Sequence, residues 1–201
     1  MSQVVVDISV SLDGYVTGPN AGPGNGLGDN GEALHRWVFE GTDEDRAALD
    51  RSFERTGAVV QGRRLFDVID APDGWNEEMG YGATRDSERR PPIFVVTHEP
   101  PATTRLGDRF SFVTDLTEAI DLARKAAGDK DVVVMGGGEI CHAVLAAGLA
   151  DVLLLHVAPV VLGDGTRLYP ASAGPRVDLE LTSAVSTPQA QHLTYAVRKS
   201  S

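Results

Sequence analysis

Residues 131–145 place an apolar strand, three glycines and a helix in direct succession. The run Val-Val-Val-Met before the glycines is rich in β-branched residues, which is typical of a strand buried on both faces. Gly136, Gly137 and Gly138 follow, and the apolar residues then recur at helical spacing. Because glycine has no Cβ, a ligand can approach this turn closely and meet the free amides of the next helix. The stretch predicts a crossover of a parallel sheet, with a turn suited to an anion such as a pyrophosphate.

A second strand–glycine–helix turn lies at 58–67. An apolar run leads into Gly62, and Arg63 and Arg64 begin the predicted helix. Neither turn matches GxGxxG or GxxxxGK[ST], and each taken alone is equally consistent with a tight connection between elements. Two arginines at a helix start are also consistent with a solvated surface. In a chain of formal charge −11, however, they would supply the local cations that an anionic ligand needs.

The composition disfavours several classes of partner and site. A net charge of −11 and a pI near 4.8 disfavour nucleic acid and anionic membranes, which reward a basic surface. No window is apolar for long enough to cross a bilayer and the N-terminus lacks a basic export segment, so we expect a cytoplasmic protein. Cys141 is the single cysteine, so we expect no internal disulfide and a packing role for its side chain. The five histidines show no ligand spacing, so no metal site is predicted.

Two long loops interrupt the first half of the chain. Period-two alternation predicts a strand over 4–11, and an Asp-Gly turn ends it. The segment 17–31 is so rich in Gly, Pro and Asn that we expect an irregular loop that stays mobile. A second loop is predicted over 71–92, which carries several glycines, prolines and aromatic residues. Loops of this length in a compact domain are functional or disordered.

Capping patterns and apolar periodicity predict the helices. A short helix carrying aromatic residues is expected over 32–40. Thr42 with an acidic residue three positions on predicts the start of the next helix, which we expect to end at Gly57. Asp115 precedes an apolar stripe of helical spacing that Gly128 closes.

The remaining segments predict strands. Buried or alternating runs occur at 93–97, 110–113, 152–157, 179–185 and 191–198, and the last two are expected to pair antiparallel at an edge. Strands and helices alternate up to the turn at Gly136–Gly138, whereas strands and turns alone follow the helix after that turn. We therefore predict a single α/β domain over 1–201, with a mixed sheet that is mostly parallel, antiparallel C-terminal strands, and helices on both faces.

Five stretches carry a resemblance to a known family, and together they span nearly the whole chain. They are 11–15 (SLDGY), 62–67 (GRRLFD), 92–98 (PIFVVTH), 134–168 with its GGGEICHAVL and PVVLGDGTRL segments, and 192–195 (HLTY). In this order and spacing the chain resembles the dihydrofolate reductase-like superfamily. Within it, the chain is similar to the bacterial group that shares the C-terminal reductase domain of the riboflavin-pathway deaminase-reductase, RibD.

The resemblance implies a three-layer α/β/α sandwich, NADPH as the hydride donor, and a homodimer acting on a small molecule. The residues that it implies for the pyrophosphate are Gly136, Gly137, Gly138, Glu139 and Ile140. The other residues that it implies for the cofactor are Gly62, Arg63, Arg64, Thr97 and His98, with the arginines at the adenosine 2′-phosphate and the last two bordering the adenosine. A guanidinium near a helix start is a suitable partner for a phosphate dianion.

Other side chains are candidates for the chemistry or for the substrate. Asp13 ends the first strand and is expected to orient the substrate or relay a proton, although fixing the Asp-Gly turn is the commoner use of such a residue. His35 is a second candidate proton donor, and with Trp37 it forms either part of the pocket or a core-facing pair. Trp75 is a candidate to cover the nicotinamide or the substrate. His156, between apolar strand residues, is expected to be buried and hydrogen-bonded.

Two features separate the chain from the riboflavin-pathway reductases. It has Gln-Gly-Arg-Arg at 61–64 where they have Thr-Val-x-x-Asp-Asp, and Met135 where they place a substrate-binding Glu. The principal hypothesis is an NADPH-dependent reductase that transfers a hydride to a C=N or C=O bond of a small heterocyclic or sugar-derived substrate, such as a ribosylamino-pyrimidine or a pterin. The alternatives are a dihydrofolate reductase-type activity, a catalytically silent NADPH-binding sensor, and a phosphosugar-binding protein without nicotinamide.

Overall fold

One mixed sheet organises the computed structural model, which describes residues 2–76, 80–81, 90–170 and 174–199. The strands of this part of the chain are β1 (Val4–Ser11), β2 (Tyr15–Thr17), β3 (Thr56–Gly62), β4 (Ile93–Val96), β5 (Phe110–Val113), β6 (Asp131–Met135), β7 (Val152–Ala158), β8 (Thr166–Arg167), β9 (Leu179–Ser186) and β10 (Gln191–Val197). Eight of them form the sheet in the order β5-β4-β3-β6-β1-β7-β10-β9, and β2 pairs with β8. The first six strands in this order, β5-β4-β3-β6-β1-β7, are parallel to one another. β10 runs antiparallel to β7, and β9 runs antiparallel to β10, as predicted.

Helices cover both faces of this sheet. They are α1 (Arg36–Phe39), α2 (Asp43–Arg55), α3 (Arg63–Ile69), α4 (Leu116–Ala127) and α5 (Gly138–Ala146). On one face α4 and α5 pack against the main core, which includes Val6, Val134 and Ile120. On the other face α3 packs through Phe66 against Val59, and α2 crosses β1. This arrangement confirms the predicted mixed α/β class. None of the described helices is long and apolar enough to cross a bilayer.

A capping box fixes the start of α2, and the helix ends two residues before the predicted Gly57. Thr42 and Asp45 form a capping box, in which each side chain accepts a hydrogen bond from the other residue's backbone. The helix ends at Arg55, and Gly57 lies inside β3 instead of terminating α2. A Cβ built on Gly57 would lie 2.6 Å from the carbonyl oxygen of Ala127. The glycine therefore allows β3 to pack against the end of α4 and does not mark a helix end.

The loop at 17–31 is irregular, as predicted, but it has a definite folded conformation. The Gly18 amide donates to the Leu27 carbonyl at 2.8 Å and draws the two limbs of the loop together. The carboxylate of Asp29 accepts hydrogen bonds from the side chains of two asparagines in the same loop. These hydrogen bonds within the loop stabilise its folded conformation.

The second predicted loop, 71–92, falls partly outside the described residues, at 77–79 and 82–89. Its first part follows α3 without regular structure. There Trp75 is half-buried against the cluster that packs on α3, and its backbone amide donates to the Ile69 carbonyl at 3.0 Å.

Candidate functional site

The two glycine-containing turns lie beside each other at the carboxyl-terminal edge of the parallel strands. α3 follows β3 directly, and α5 begins after two residues that follow β6. Arg64 Nη1 lies 2.8 Å from Glu139 Oε1, so an ion pair links the two helix starts. A Cβ built on Gly62 would lie 3.6 Å from Ile140. One dinucleotide could therefore contact both turns.

The three glycines form a cradle that is open at its centre. Gly137 precedes α5 and has no side chain with which to cap the first-turn amides, and a cis peptide bond joins it to Gly136. A Cβ built on Gly137 would meet no atom within 4 Å. On Gly138 it would lie 2.8 Å from Val16 and 3.1 Å from the Arg167 carbonyl oxygen. The cradle is thus packed against Val16 and Arg167 at Gly138, and it is open at Gly137, where a phosphate group would approach the α5 amides.

Arg63 is held towards the end of β4. Its Nε donates to Asp67 one turn along α3 at 2.7 Å, and its Nη1 donates to the Glu99 carbonyl. The hydroxyl of Thr97 accepts a hydrogen bond from the Glu99 amide, and the exposed His98 lies between these residues. The structure thus brings together Arg63, Thr97 and His98, which the resemblance placed at the adenosine side.

Asp13 is engaged in fixing the end of β1. Its carboxylate accepts hydrogen bonds from the Ser11 hydroxyl at 2.6 Å, the Leu162 amide at 3.1 Å and the Gly163 amide at 2.7 Å. The bond from Ser11, together with the two amides, lowers the pKa of the Asp13 carboxyl to about 2. A carboxyl with that pKa holds no proton at neutral pH. The geometry therefore favours the turn-fixing alternative over proton donation.

His35 and Trp37 lie against buried histidines. The Trp37 indole N–H donates to the Ser9 hydroxyl at 3.0 Å, and its ring lies 4.2 Å from the ring of His156 and 5.0 Å from that of His192. Burial, and then the neighbouring His156, lower the pKa of His35 to about 4. His35 is therefore neutral at pH 7, and Trp37 faces the interior.

A chain of four ionisable side chains, which we name the buried relay, crosses the sheet beneath Trp37. His156 Nε2 lies 3.0 Å from Asp7 Oδ1, the two Nδ1 atoms of His156 and His192 lie 2.6 Å apart, and His192 Nε2 lies 2.7 Å from Asp45 Oδ1. The Ser52 hydroxyl also donates to Asp7. The prediction that His156 is buried and hydrogen-bonded is confirmed. The other members were missed, although an acid within the alternating apolar pattern of β1 was a signal.

A row of side chains across the sheet lies next to the glycine turn. Met135, the last residue before the turn, pairs in register with Asp7 of β1. Gln61 follows the last registered pair of β3 with β6 and is fully buried. Neither amide atom of Gln61 has a hydrogen-bond partner among the described residues. Trp75 lies farther out, with the Arg109 guanidinium 5.2 Å from its ring, so its contact with a ligand stays a prediction.

Cys141 and the candidate metal ligands complete the list of reactive side chains in the described part of the chain. Cys141 is buried, and burial raises the pKa of its thiol to about 12. A thiol with that pKa packs and does not act as a nucleophile at neutral pH. Within residues 2–76, 80–81, 90–170 and 174–199 no cluster of three or more His, Cys, Asp or Glu side chains could hold a metal ion.

Comparisons with known proteins agree with this architecture. The model of the RibD C-terminal domain family matches residues 2–193. The uncharacterized protein YyaP of Bacillus subtilis strain 168 is 24% identical over 174 residues, which cover 83% of this chain and 80% of YyaP.

Two solved structures have the same fold. A putative riboflavin biosynthesis protein from Shewanella sp. PV-4 matches with a TM-score of 0.71 and 20% identity, over 98% of this chain and 99% of the other. The riboflavin biosynthesis reductase Rib7 of Saccharomyces cerevisiae matches with a TM-score of 0.58 and 15% identity, over 99% and 90% of the two chains. At these identities the similarity establishes the shared fold.

Proposed function

The chain belongs to the RibD C-terminal domain family, and from this premise we propose that it is an NADPH-dependent reductase acting on a small heterocycle. The observation that carries the proposal is the meeting of the two helix starts, one preceded by glycines and one bearing Arg63 and Arg64. A dinucleotide has phosphates at two separate positions, which matches two anion-binding features side by side.

The residues present fit NADPH. The open face at Gly137 leaves room for a pyrophosphate against the first-turn amides of α5. The guanidinium of Arg63, fixed by Asp67 and the Glu99 carbonyl, would hold the 2′-phosphate that distinguishes NADPH from NADH. When bound, the cofactor supplies a hydride. The protein's part is to hold the substrate against it, exclude water and provide a proton.

The row formed by Gln61, Met135 and Asp7 beside the glycine turn supports a heterocyclic substrate. The buried Gln61 has an amide donor and an amide acceptor without partners among the described residues, and a side-chain rotation towards the turn would let a ring lactam, such as that of a pyrimidine or pterin, satisfy both. Met135 supplies an apolar surface between Gln61 and Asp7. A ribosylamino-pyrimidine or a pterin is the substrate class that fits these three side chains, and Gln61→Leu is expected to raise its KM.

Cofactor binding is tested with a pair of matched glycine variants. Gly137→Ala adds a methyl group where no protein atom lies within 4 Å, so the fold is retained while the approach of the pyrophosphate is blocked. We expect its Kd for NADPH, measured by fluorescence titration, to rise at least tenfold, or about 1.4 kcal/mol. Gly22→Ala adds the same group in open space within the loop 17–31 and controls for thermal stability. Equal affinity of Gly137→Ala and the native protein for NADPH would refute this placement.

Turnover distinguishes a reductase from a silent binding protein. The assay follows NADPH oxidation at 340 nm with ribosylamino-pyrimidines, pteridines and dihydrofolate as acceptors. Oxidation with a pyrimidine or pterin supports the proposal, and oxidation with dihydrofolate alone supports a dihydrofolate reductase-type activity. Tight NADPH binding without any turnover would favour the sensor.

A homodimer is a further part of the proposal. β9 forms an edge of the sheet, and its Leu179 and Leu181 side chains are exposed. An edge strand with exposed apolar side chains is suited to pairing with a second copy. Light scattering on the purified protein tests this, with a monomer at micromolar concentration as the contrary result.

A further inference from the structure

The buried relay is the largest cluster of ionisable groups that cofactor binding leaves unused in the described residues. It joins Asp7 on β1, His156 on β7, His192 on β10 and Asp45 on α2. The three contacts measure 3.0, 2.6 and 2.7 Å, which are hydrogen-bond distances. The hydrogen bonds between four such groups in one continuous line depend on which of their atoms carry protons.

Three hydrogen bonds in this line require three protons. If both carboxylates are ionised they only accept, so each Nε2 atom carries a proton towards its acid. Two neutral rings then supply two protons, and the lone pairs of the two Nδ1 atoms would face each other at 2.6 Å. A third proton between the Nδ1 atoms removes that repulsion. With both acids ionised, the three hydrogen bonds therefore need one proton more than two neutral rings carry, shared over the two rings with an acid at each end.

The relay is closed at one end and accessible at the other. The side chains of Asp45, His156 and His192 are 0%, 3% and 4% exposed, whereas that of Asp7 is 17% exposed. Asp7 is also the member that lies opposite Met135, the last residue before the glycine turn. Asp7 is therefore the member of the line placed to pass a proton to a ligand at the glycine turn.

The surroundings of the relay act on its protons in opposite directions. Although burial opposes this, the hydrogen bond from His156 lowers the pKa of Asp7, and that from His192 lowers the pKa of Asp45, so both acids are held ionised. The pKa of His192 is lowered, chiefly by burial and also by the charges of His156 and of Arg51 on α2, while the bond to Asp45 raises it. From the segment before α1, His35 faces His156 and is neutral at pH 7 because its pKa is about 4.

We propose that Asp7 donates the proton that accompanies hydride transfer, and that His156, His192 and Asp45 supply this proton to Asp7. The inference rests on the proposed reductase function. The hydride adds to the carbon of the C=N or C=O bond, and the π electron pair moves to the nitrogen or oxygen. The ionised Asp7 takes the proton from His156 Nε2 and passes it to that atom. The Nδ1-bound proton remains between the rings, and water restores the proton on His156 Nε2 after product release. Asp7 is the catalytic residue, and the other three are positioning residues.

The first test needs neither cofactor nor substrate. Nitrogen-15 NMR of the histidine side chains in the native protein at pH 7 counts the protons on the imidazole nitrogens. We expect three protons on the His156–His192 pair and a strongly downfield proton resonance between the Nδ1 atoms. Two neutral rings without a shared proton would overturn the proposal. In Asp45→Asn we expect the excess proton to be lost at lower pH than in the native protein, because one stabilising negative charge is gone.

The second test uses NADPH oxidation with the best acceptor of the panel. We expect Asp7→Asn to lower kcat by a factor of about 10² to 10⁴, the range of a general acid, with the Kd for NADPH unchanged. In Asp45→Asn the alkaline limb of the kcat profile should move to lower pH, which a merely structural role would not cause. Asp131→Asn is the matched control, because Asp131 is a buried carboxylate paired with Arg55 at the first residue of β6, at the end of that strand away from the glycine turn.

The outcomes separate this inference from the proposed function. Native kcat in Asp7→Asn, or an unmoved pH profile in Asp45→Asn, overturns the relay as a proton source while the reductase function stands. The absence of turnover with every acceptor refutes the reductase function and the donation step with it. The NMR proton count then still decides whether the relay holds an excess proton.

Discussion

His35 gives the protein a specific sensitivity to acid. Its pKa is about 4 in the folded protein and 6.5 for the unperturbed side chain, with burial as the largest cause. Between these values the unfolded chain binds a proton that the folded protein does not, so the free energy of unfolding falls as pH falls. With 1.36 kcal/mol per pKa unit, the loss attributable to His35 between pH 7.5 and 5 is about 2 kcal/mol. It approaches about 3 kcal/mol below pH 4.

The change His35→Gln removes this titration while keeping a polar side chain of similar length. Urea unfolding of both proteins at pH 7.5 and pH 5 gives the free energy of unfolding, and the loss between the two pH values is compared. The variant should lose about 2 kcal/mol less than the native protein. A change in packing alters the free energy of unfolding equally at both pH values and drops out of this difference. The contribution of groups that titrate in both proteins drops out when the two proteins are compared. Equal losses in the two proteins would show that the imidazole is not held neutral by burial.

Three further changes test the cofactor site and the fold. Arg63→Ala should raise the Kd for NADPH at least tenfold and change that for NADH little, since only NADPH carries the 2′-phosphate, and equal losses in fluorescence titrations would reject this role. Gly138→Ala should lower the free energy of unfolding by about 1–3 kcal/mol, because its Cβ would lie 2.8 Å from Val16, and an unchanged urea midpoint would contradict this. Thr42→Ala should cost about 1 kcal/mol by removing the capping box with Asp45, as thermal unfolding would show.

The sequence is informative where the physical cause is local. β6 and the glycine turn were predicted because β-branched residues favour a buried strand and glycine alone leaves a turn without side chains. The cap of α4 follows likewise from Asp115 and the Glu118 amide, three residues apart. Gly57 shows where local reasoning fails, since a glycine is needed there because the position packs against the carbonyl of Ala127, seventy positions away in the chain. The sequence pattern alone suggested a helix end at this glycine, whereas the structure shows a packing requirement.

The buried relay could not be predicted from the sequence, because its contacts also join residues that are distant in the chain. Its contacts join residues 149, 36 and 147 positions apart. Alternation in β1 assigns Asp7 to the face opposite Val6, but it does not say which strand brings a histidine to that face. Asp45 was also explained by a local role, since one carboxylate oxygen serves the capping box while the other accepts from His192. The sheet order β1-β7-β10 supplies the missing information.

Stability alone does not account for the buried relay. Removing one member of a buried charged pair typically costs about 3–5 kcal/mol, yet replacing the whole pair by apolar side chains is often neutral or stabilising. Apolar side chains suit β1, where Val6 and Ile8 flank Asp7 and are buried on its other face. An apolar set at all four positions would therefore satisfy the packing requirement of this strand. A role for Asp7 in moving a proton at the edge of the glycine turn explains why ionisable groups occupy positions that folding could fill with valine or leucine.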